Sequence, residues 1–156
     1  MRIGIASDHA GKELKTLIVD FLKTAGHEPV DFGVDAHSDK SVDYPDYAAI
    51  LAREISSGKL ERAIAICGTG IGMCITANKF PGVRAASVWD EFSARMSRAH
   101  NDANVMCIGA RVLNEYRAMD LVKLWVDTPF AGDRHIQRVN KIKELEKKNF
   151  AARGHT

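Results

Sequence analysis

Five short apolar runs, separated by stretches of helical periodicity, constrain this chain more than any other feature. They are Arg2-Ile3-Gly4-Ile5-Ala6-Ser7, Val30-Asp31-Phe32, Ala63-Ile64-Ala65-Ile66-Cys67, Val83-Arg84-Ala85-Ala86-Ser87-Val88 and Val105-Met106-Cys107-Ile108. After the first run, Leu14, Leu17, Ile18, Phe21, Leu22 and Ala25 recur at the spacing of one helix face, and Gly26 suits that helix's C-terminus. Further helical patterns fall around 46–57, 70–79, 90–100 and 114–127. Strands alternating with helices of this length require right-handed crossovers, and therefore a parallel sheet with helices on both faces. The longest runs show almost no polar alternation, as strands covered on both sides should. The expected fold is a three-layer α/β/α domain around a five-stranded parallel sheet, occupying residues 1–150. A last helix begins near Arg134, with Ile136, Val139, Ile142 and Leu145 among many lysines and no strand to follow it. Such a C-terminal helical arm either caps the sheet or packs on a second subunit, and residues 151–156 are expected to fray.

Bulk properties exclude several classes of function. With 156 residues and 46% hydrophobic content, one domain can bury roughly 70% of its unfolded surface, so neither metal nor disulfide is needed to hold a core. A formal charge of +2 is too small to imply nucleic acid or membrane as a partner, although a small anion fits. The longest stretch without Asp, Glu, Lys, Arg or His, Ala63 to Asn78, contains three glycines and falls short of the ~20 apolar residues that span a bilayer. Charge appears by Asp8 with no apolar leader before it, which makes the cytoplasm the expected location. Cys67, Cys74 and Cys107 form no CxxC pair, so they are expected to be free thiols.

Ligands of open parallel sheets bind beyond the carboxyl ends of the strands. There the sequence places Ser7-Asp8-His9 after the first strand and Cys67-Gly68-Thr69-Gly70-Ile71-Gly72 after the third, and His100-Asn101-Asp102-Ala103-Asn104 is expected to converge with them on one crevice. A glycine run between strand and helix makes an anion site from backbone N–H groups. Its glycines are too close together for a GxGxxG fingerprint, no Gly-Lys-Ser/Thr follows, and Met73 stands where a Cys-x5-Arg loop needs arginine. What remains is an oxyanion hole beside a cysteine. A thiol at a helix N-terminus is pulled from about 8.5 toward neutrality, which would make Cys67 a base or nucleophile. Cys74, inside a helix, and Cys107, inside a strand, are expected to be plain buried residues. His9 and His100 are the candidate acids or bases near neutral pH. A metal site from Asp8, His9, His100 and Asp102 has no supporting spacing. Arg134 and Arg138, one helical turn apart, suit a phosphate dianion, with Arg111 a third candidate.

These segments, together with Ala77-Asn78-Lys79 and Arg134-His135-x-x-Arg138, resemble the type B ribose-5-phosphate isomerases in the same order along nearly the whole chain. The resemblance implies a Rossmann-like fold, a homodimer or dimer of dimers with sites at the subunit interface, and a cofactor-free and metal-free interconversion of ribose 5-phosphate and ribulose 5-phosphate. Carried over by position, Cys67 moves the proton between C2 and C1, and His100 opens the furanose ring. Asp8 and Asn101 hold sugar oxygens. The amides of Gly68, Thr69, Gly70, Ile71 and Gly72 stabilise the enediolate, assisted by the Thr69 side chain, while His9, Arg111, Arg134 and Arg138 hold the phosphate. A branch of the family with glutamate at the position of Met73 is not the one this chain resembles. Six-carbon substrates such as allose 6-phosphate or galactose 6-phosphate are the alternative within the family. A non-catalytic sugar-phosphate sensor or a redox-sensing cysteine protein is the alternative outside it.

Overall fold

The computed structural model describes the backbone of residues 1–153 and side chains through residue 151. Five strands, β1 (Arg2–Ser7), β2 (Glu28–Asp31), β3 (Arg62–Cys67), β4 (Ala85–Ser87) and β5 (Val105–Gly109), alternate with helices α1 (Lys12–Thr24), α2 (Tyr44–Ser56), α3 (Ile71–Ala77), α4 (Glu91–Ala99), α5 (Glu115–Asp127) and α6 (Arg134–Arg153). All four strand pairings are parallel, in the order β2-β1-β3-β5-β4. The expected fold class is the one found. The fourth strand is shorter than its apolar run, because Pro81 and Gly82 lie in a turn where Val83 N–H donates to Phe80 O.

The two faces of the sheet are built from different residues. Ile3, Ile5, Ile64, Ile66, Met106 and Ile108 point to one face and meet α1, α4 and α5, with Trp125 fully buried among them. Ala6, Ala63, Ala65, Cys67, Val105 and Cys107 point to the other and meet α2 and α3. Alternation is thus by size, large to one side and small to the other, which is why polarity patterns along these strands are nearly flat. Small side chains bring α2 and α3 close. A Cβ on Gly4 would stand 2.8 Å from Leu51 Cδ1 and 2.7 Å from Leu60 Cδ1.

Helix boundaries have local causes. Pro45 lies in the first turn of α2, where its missing N–H costs nothing. Asp90 accepts from Ser93 N–H at 2.7 Å while Asp90 N–H donates to Ser93 Oγ at 3.2 Å, a reciprocal cap that starts α4. The Ser93 amide is also the main cause holding the Asp90 carboxyl below its ordinary range.

The arm, α6, lies along the amino edge of the sheet. Ala131 N–H donates to Ala99 O at the end of α4, and Glu146 accepts from Gly82 N–H at 2.9 Å. Among the described residues of α6 only His135 and Val139 are buried, and Ile136, Ile142, Leu145 and Phe150 remain exposed. Of the segment expected to fray, 151–153 is helical, and 154–156 lie outside the described residues. Among the described residues no helix is long and apolar enough to cross a membrane.

Unequal faces predict unequal tolerance to volume. Ala65→Leu, overpacking the small face, is expected to destabilise by about 1–3 kcal/mol. Ile64→Val should cost only about 0.5–1.5 kcal/mol. Urea denaturation midpoints of the two variants check the order, and a larger loss for Ile64→Val would contradict it.

Candidate active site

The sheet order reverses direction between β1 and β3: the chain leaves β1 toward one edge and β3 toward the other, so their carboxyl ends flank the crevice where such folds bind ligands. Asp8, just past β1, is buried, and its Oδ1 accepts from Ala10 N–H at 2.9 Å and Gly11 N–H at 3.2 Å. His9 Nδ1 lies 3.1 Å from Val42 O and 3.2 Å from Val42 N, so the Val42 backbone fixes the orientation of the ring. Cys67 ends β3, only 4% exposed, with Gly70 N–H donating to its Sγ at 3.2 Å.

The loop after Cys67 requires its glycines. Gly70 has φ +79, and a Cβ there would meet Ile108 backbone carbon at 2.8 Å. A Cβ on Gly72 would collide with the Tyr44 ring at 2.5 Å. The loop therefore sits directly on β5 and α2, with the first turn of α3 facing the crevice. Thr69 Oγ1 accepts from Ile71 N–H at 3.3 Å. Arg111 lies alongside: its N–H donates to Gly68 O at 3.0 Å, and its exposed guanidinium passes over Gly68. Together Asp8, His9, Tyr44, Cys67, Gly68, Thr69, Ile71, Gly72 and Arg111 line a crevice of about 440 Å³.

The expectation that His100 converges on this crevice within one chain is wrong. α4 starts at the carboxyl edge and runs back antiparallel to the strands, so it delivers His100 and Asn101 to the amino edge, where Asn104 O accepts from Ala63 N–H at the start of β3. A strand length of roughly 17–20 Å separates the two sets. Arg134 and Arg138 belong to this second set. His135 stacks on His100 with ring centroids 4.0 Å apart and 11° between planes, and Arg138 Nη1 lies 3.5 Å from His135 Nδ1. Burial, then the charges of His100, Arg134 and Arg138, push the His135 imidazole below its ordinary value. Asp8 and His9 therefore cannot join His100 and Asp102 around one ion in a single chain. Among the described residues no group of three His, Cys, Asp or Glu is placed to hold a metal.

Several motif residues serve the scaffold. Asn78 pairs twice with the Ala85 backbone, accepting from N–H and donating to O, both at 2.9 Å. Asn104 accepts from Arg84 N–H and donates to Gly82 O. Cys74 departs from the plain buried residue expected: it is half-buried, and a hydrogen bond from Cys107, supported by Ser87 and Asn78, lowers its thiol to about 6 against the opposing effect of burial. Cys107 is fully buried and its thiol is pushed up, first by the Cys74 contact and then by burial. Sequence periodicity gave no sign of this pairing, because it joins a helix to a non-adjacent strand.

A profile described as Ribose/Galactose Isomerase matches residues 3–142. The chain belongs to the ribose/galactose isomerase family. Among similar family proteins, a putative sugar phosphate isomerase of Bacillus subtilis is 45% identical over 150 residues, covering 96% of this chain and all of the relative. A D-erythrulose-4-phosphate isomerase of Pectobacterium atrosepticum is 41% identical, covering 91% of this chain and 93% of its own length. The solved structure of Clostridium thermocellum ribose-5-phosphate isomerase B superposes with a TM-score of 0.91 at 51% identity, over 96% of this chain and 99% of that one.

The thiol pairing generates a pH prediction. Iodoacetamide labelling of Cys74, followed by peptide mass spectrometry, is expected to rise with thiolate fraction to half its plateau near pH 6. Cys107 should stay unlabelled in the folded protein. Cys74 labelling that rises only above pH 8 would contradict the pairing.

Proposed function

We propose that this chain is an aldose–ketose isomerase interconverting D-ribose 5-phosphate and D-ribulose 5-phosphate through an enediolate. The observation that carries the reading is Cys67, its sulfur held by the Gly70 amide at the mouth of a crevice that also presents Asp8, the glycine loop and Arg111. Family membership and the named ribose-5-phosphate isomerase B neighbour support the substrate class.

The chemistry divides among the residues as follows. His100 takes the proton of the anomeric hydroxyl and returns it to the ring oxygen, opening the furanose. Cys67 as thiolate removes the C2 proton, and the electron pair forms the enediolate with negative charge on O1. The Gly68–Gly72 amides hold that charge, with Thr69 assisting; preorganised donors of this kind contribute several kcal/mol to the transition state. Cys67 then delivers its proton to C1 while the O2 proton passes to O1, leaving the carbonyl at C2. Asp8 and Asn101 orient the sugar hydroxyls, and His9, Arg111, Arg134 and Arg138 hold the phosphate. No step calls for a metal or cofactor.

Two copies of the chain complete the site in this reading. The Cys67 crevice stands at the carboxyl edge and the His100 set at the amino edge. A twofold dimer brings one copy's carboxyl edge against the other's amino edge, twice over. The exposed Ile136, Ile142, Leu145 and Phe150 of α6 give the arm apolar surface to bury in that contact.

A coupled assay with ribose 5-phosphate, allose 6-phosphate, galactose 6-phosphate and erythrulose 4-phosphate in parallel tests the substrate, with the highest kcat/KM expected for ribose 5-phosphate. Cys67→Ala is expected to keep the fold and phosphate-ligand binding while losing about 10²–10⁴-fold in kcat, the usual contribution of a general base. Near-normal turnover by that variant would remove Cys67 from the mechanism, and absence of turnover of all four substrates by the unaltered protein would favour the sensor reading instead.

A further inference from the structure

The turn that carries His100 and Asn101 is built more heavily than a link between α4 and β5 requires. Asp102 has φ +47, a left-handed backbone that disfavours any residue with a Cβ. Its carboxylate is divided between two guanidinium groups: Oδ2 accepts from Arg84 Nη2 at 2.8 Å and Oδ1 from Arg98 Nη1 at 2.9 Å. The main chain is held by the same arginines. Arg84 Nε donates to Asp102 O at 2.9 Å, and Arg98 Nη1 donates to Ala103 O at 2.7 Å. Arg98 itself is 5% exposed, and its guanidinium lies over the buried Trp125 ring at 5.7 Å. Residues from α4 and from the approach to β4 therefore converge on one carboxylate, with Trp125 of α5 backing Arg98.

Burying Arg98 and half-burying Arg84 and Asp102 is seldom the cheapest way to stabilise a fold, whereas it does fix a geometry. What this geometry fixes is the pair immediately before Asp102. Asn101 is left exposed, and His100 is half-buried, with His135 stacked on its ring. We propose that Asp102 is a positioning residue, whose Arg84–Asp102–Arg98 clamp locks the left-handed turn so that His100 and Asn101 meet the sugar at the ring-opening step. The inference rests on the proposed role of His100, and Asp102 itself touches no reacting atom.

The test uses the full-length protein with Asp102→Gly, Asp102→Asn and Arg84→Met, each alone, together with Asp102→Gly in a His100→Asn background. Glycine adopts the left-handed backbone freely but dissolves the clamp. Asparagine tolerates that backbone and keeps oxygen for one guanidinium. Arg84→Met leaves Asp102 in place and opens the clamp from the other side.

For Asp102→Gly, kcat with ribose 5-phosphate is expected to fall by about 10²-fold, the cost of a catalytic group displaced by about 1 Å. Ribulose 5-phosphate, whose phosphorylated O5 prevents furanose closure, should lose much less. Arg84→Met should show the same selectivity, and Asp102→Asn should recover most of the rate. In the His100→Asn background, Asp102→Gly should add much less than its loss in the native background, because the clamp then has only Asn101 left to position.

Full activity of Asp102→Gly overturns the proposal. So does an additive loss in the double variant, or an equal loss in both directions that tracks a fall in Tm. Full turnover by His100→Asn overturns instead the reading on which the proposal rests.

Discussion

Every strand in this sheet runs in the same direction, and both of its faces are covered by helices. Each connection must therefore return the chain from the carboxyl edge to the amino edge, and chemistry carried by loops is sorted by that return. Residues that end strands, Asp8, His9, Cys67 with its glycine loop, and Arg111, collect at one edge. Residues at the far end of a helix, such as His100 and Asn101 after α4, collect at the other, and the Ala131–Ala99 hydrogen bond brings the start of α6 to them. With His100 proposed for ring opening and Cys67 for proton transfer, neither edge alone has the proposed set. Subunit pairing in this account is thus a requirement of the chemistry imposed by the topology.

The carboxyl-edge half depends on the unequal faces of the sheet. Alanine and cysteine on the α2/α3 side let α3 descend until Gly70 rests on the Ile108 backbone, which aims its N–H at Cys67 Sγ. The amino-edge half depends on charge. Arg84 and Arg98 hold the left-handed Asp102, and the neighbouring His100 is packed on His135. One half is shaped by close backbone approach and the other by ion pairs, so different substitutions should damage them.

Fold and site were legible to different degrees, for physical reasons. Flat, largely apolar strands between helices of regular period left few alternatives to a parallel three-layer domain, and the observed elements agree to within a few residues. Cys67, Asp8 and the glycine loop were legible because strand ends mark the ligand edge of such sheets. His100 was misplaced, since a loop motif carries no record of which end of a helix it follows until strand direction is applied to it. The Cys74–Cys107 contact and the Asp102 clamp were invisible for another reason: each joins side chains from elements that only the folded packing makes neighbours.

Subunit complementation tests the divided site most directly. Chains carrying Cys67→Ala and chains carrying His100→Asn, each strongly impaired alone, are mixed and allowed to exchange subunits. A hybrid dimer then pairs an intact Cys67 with an intact His100 in one of its two sites, so isomerase activity should return toward one-half of the native value per hybrid. Demonstrated exchange with no recovery would contradict the account, as would a monomer with full turnover by sedimentation.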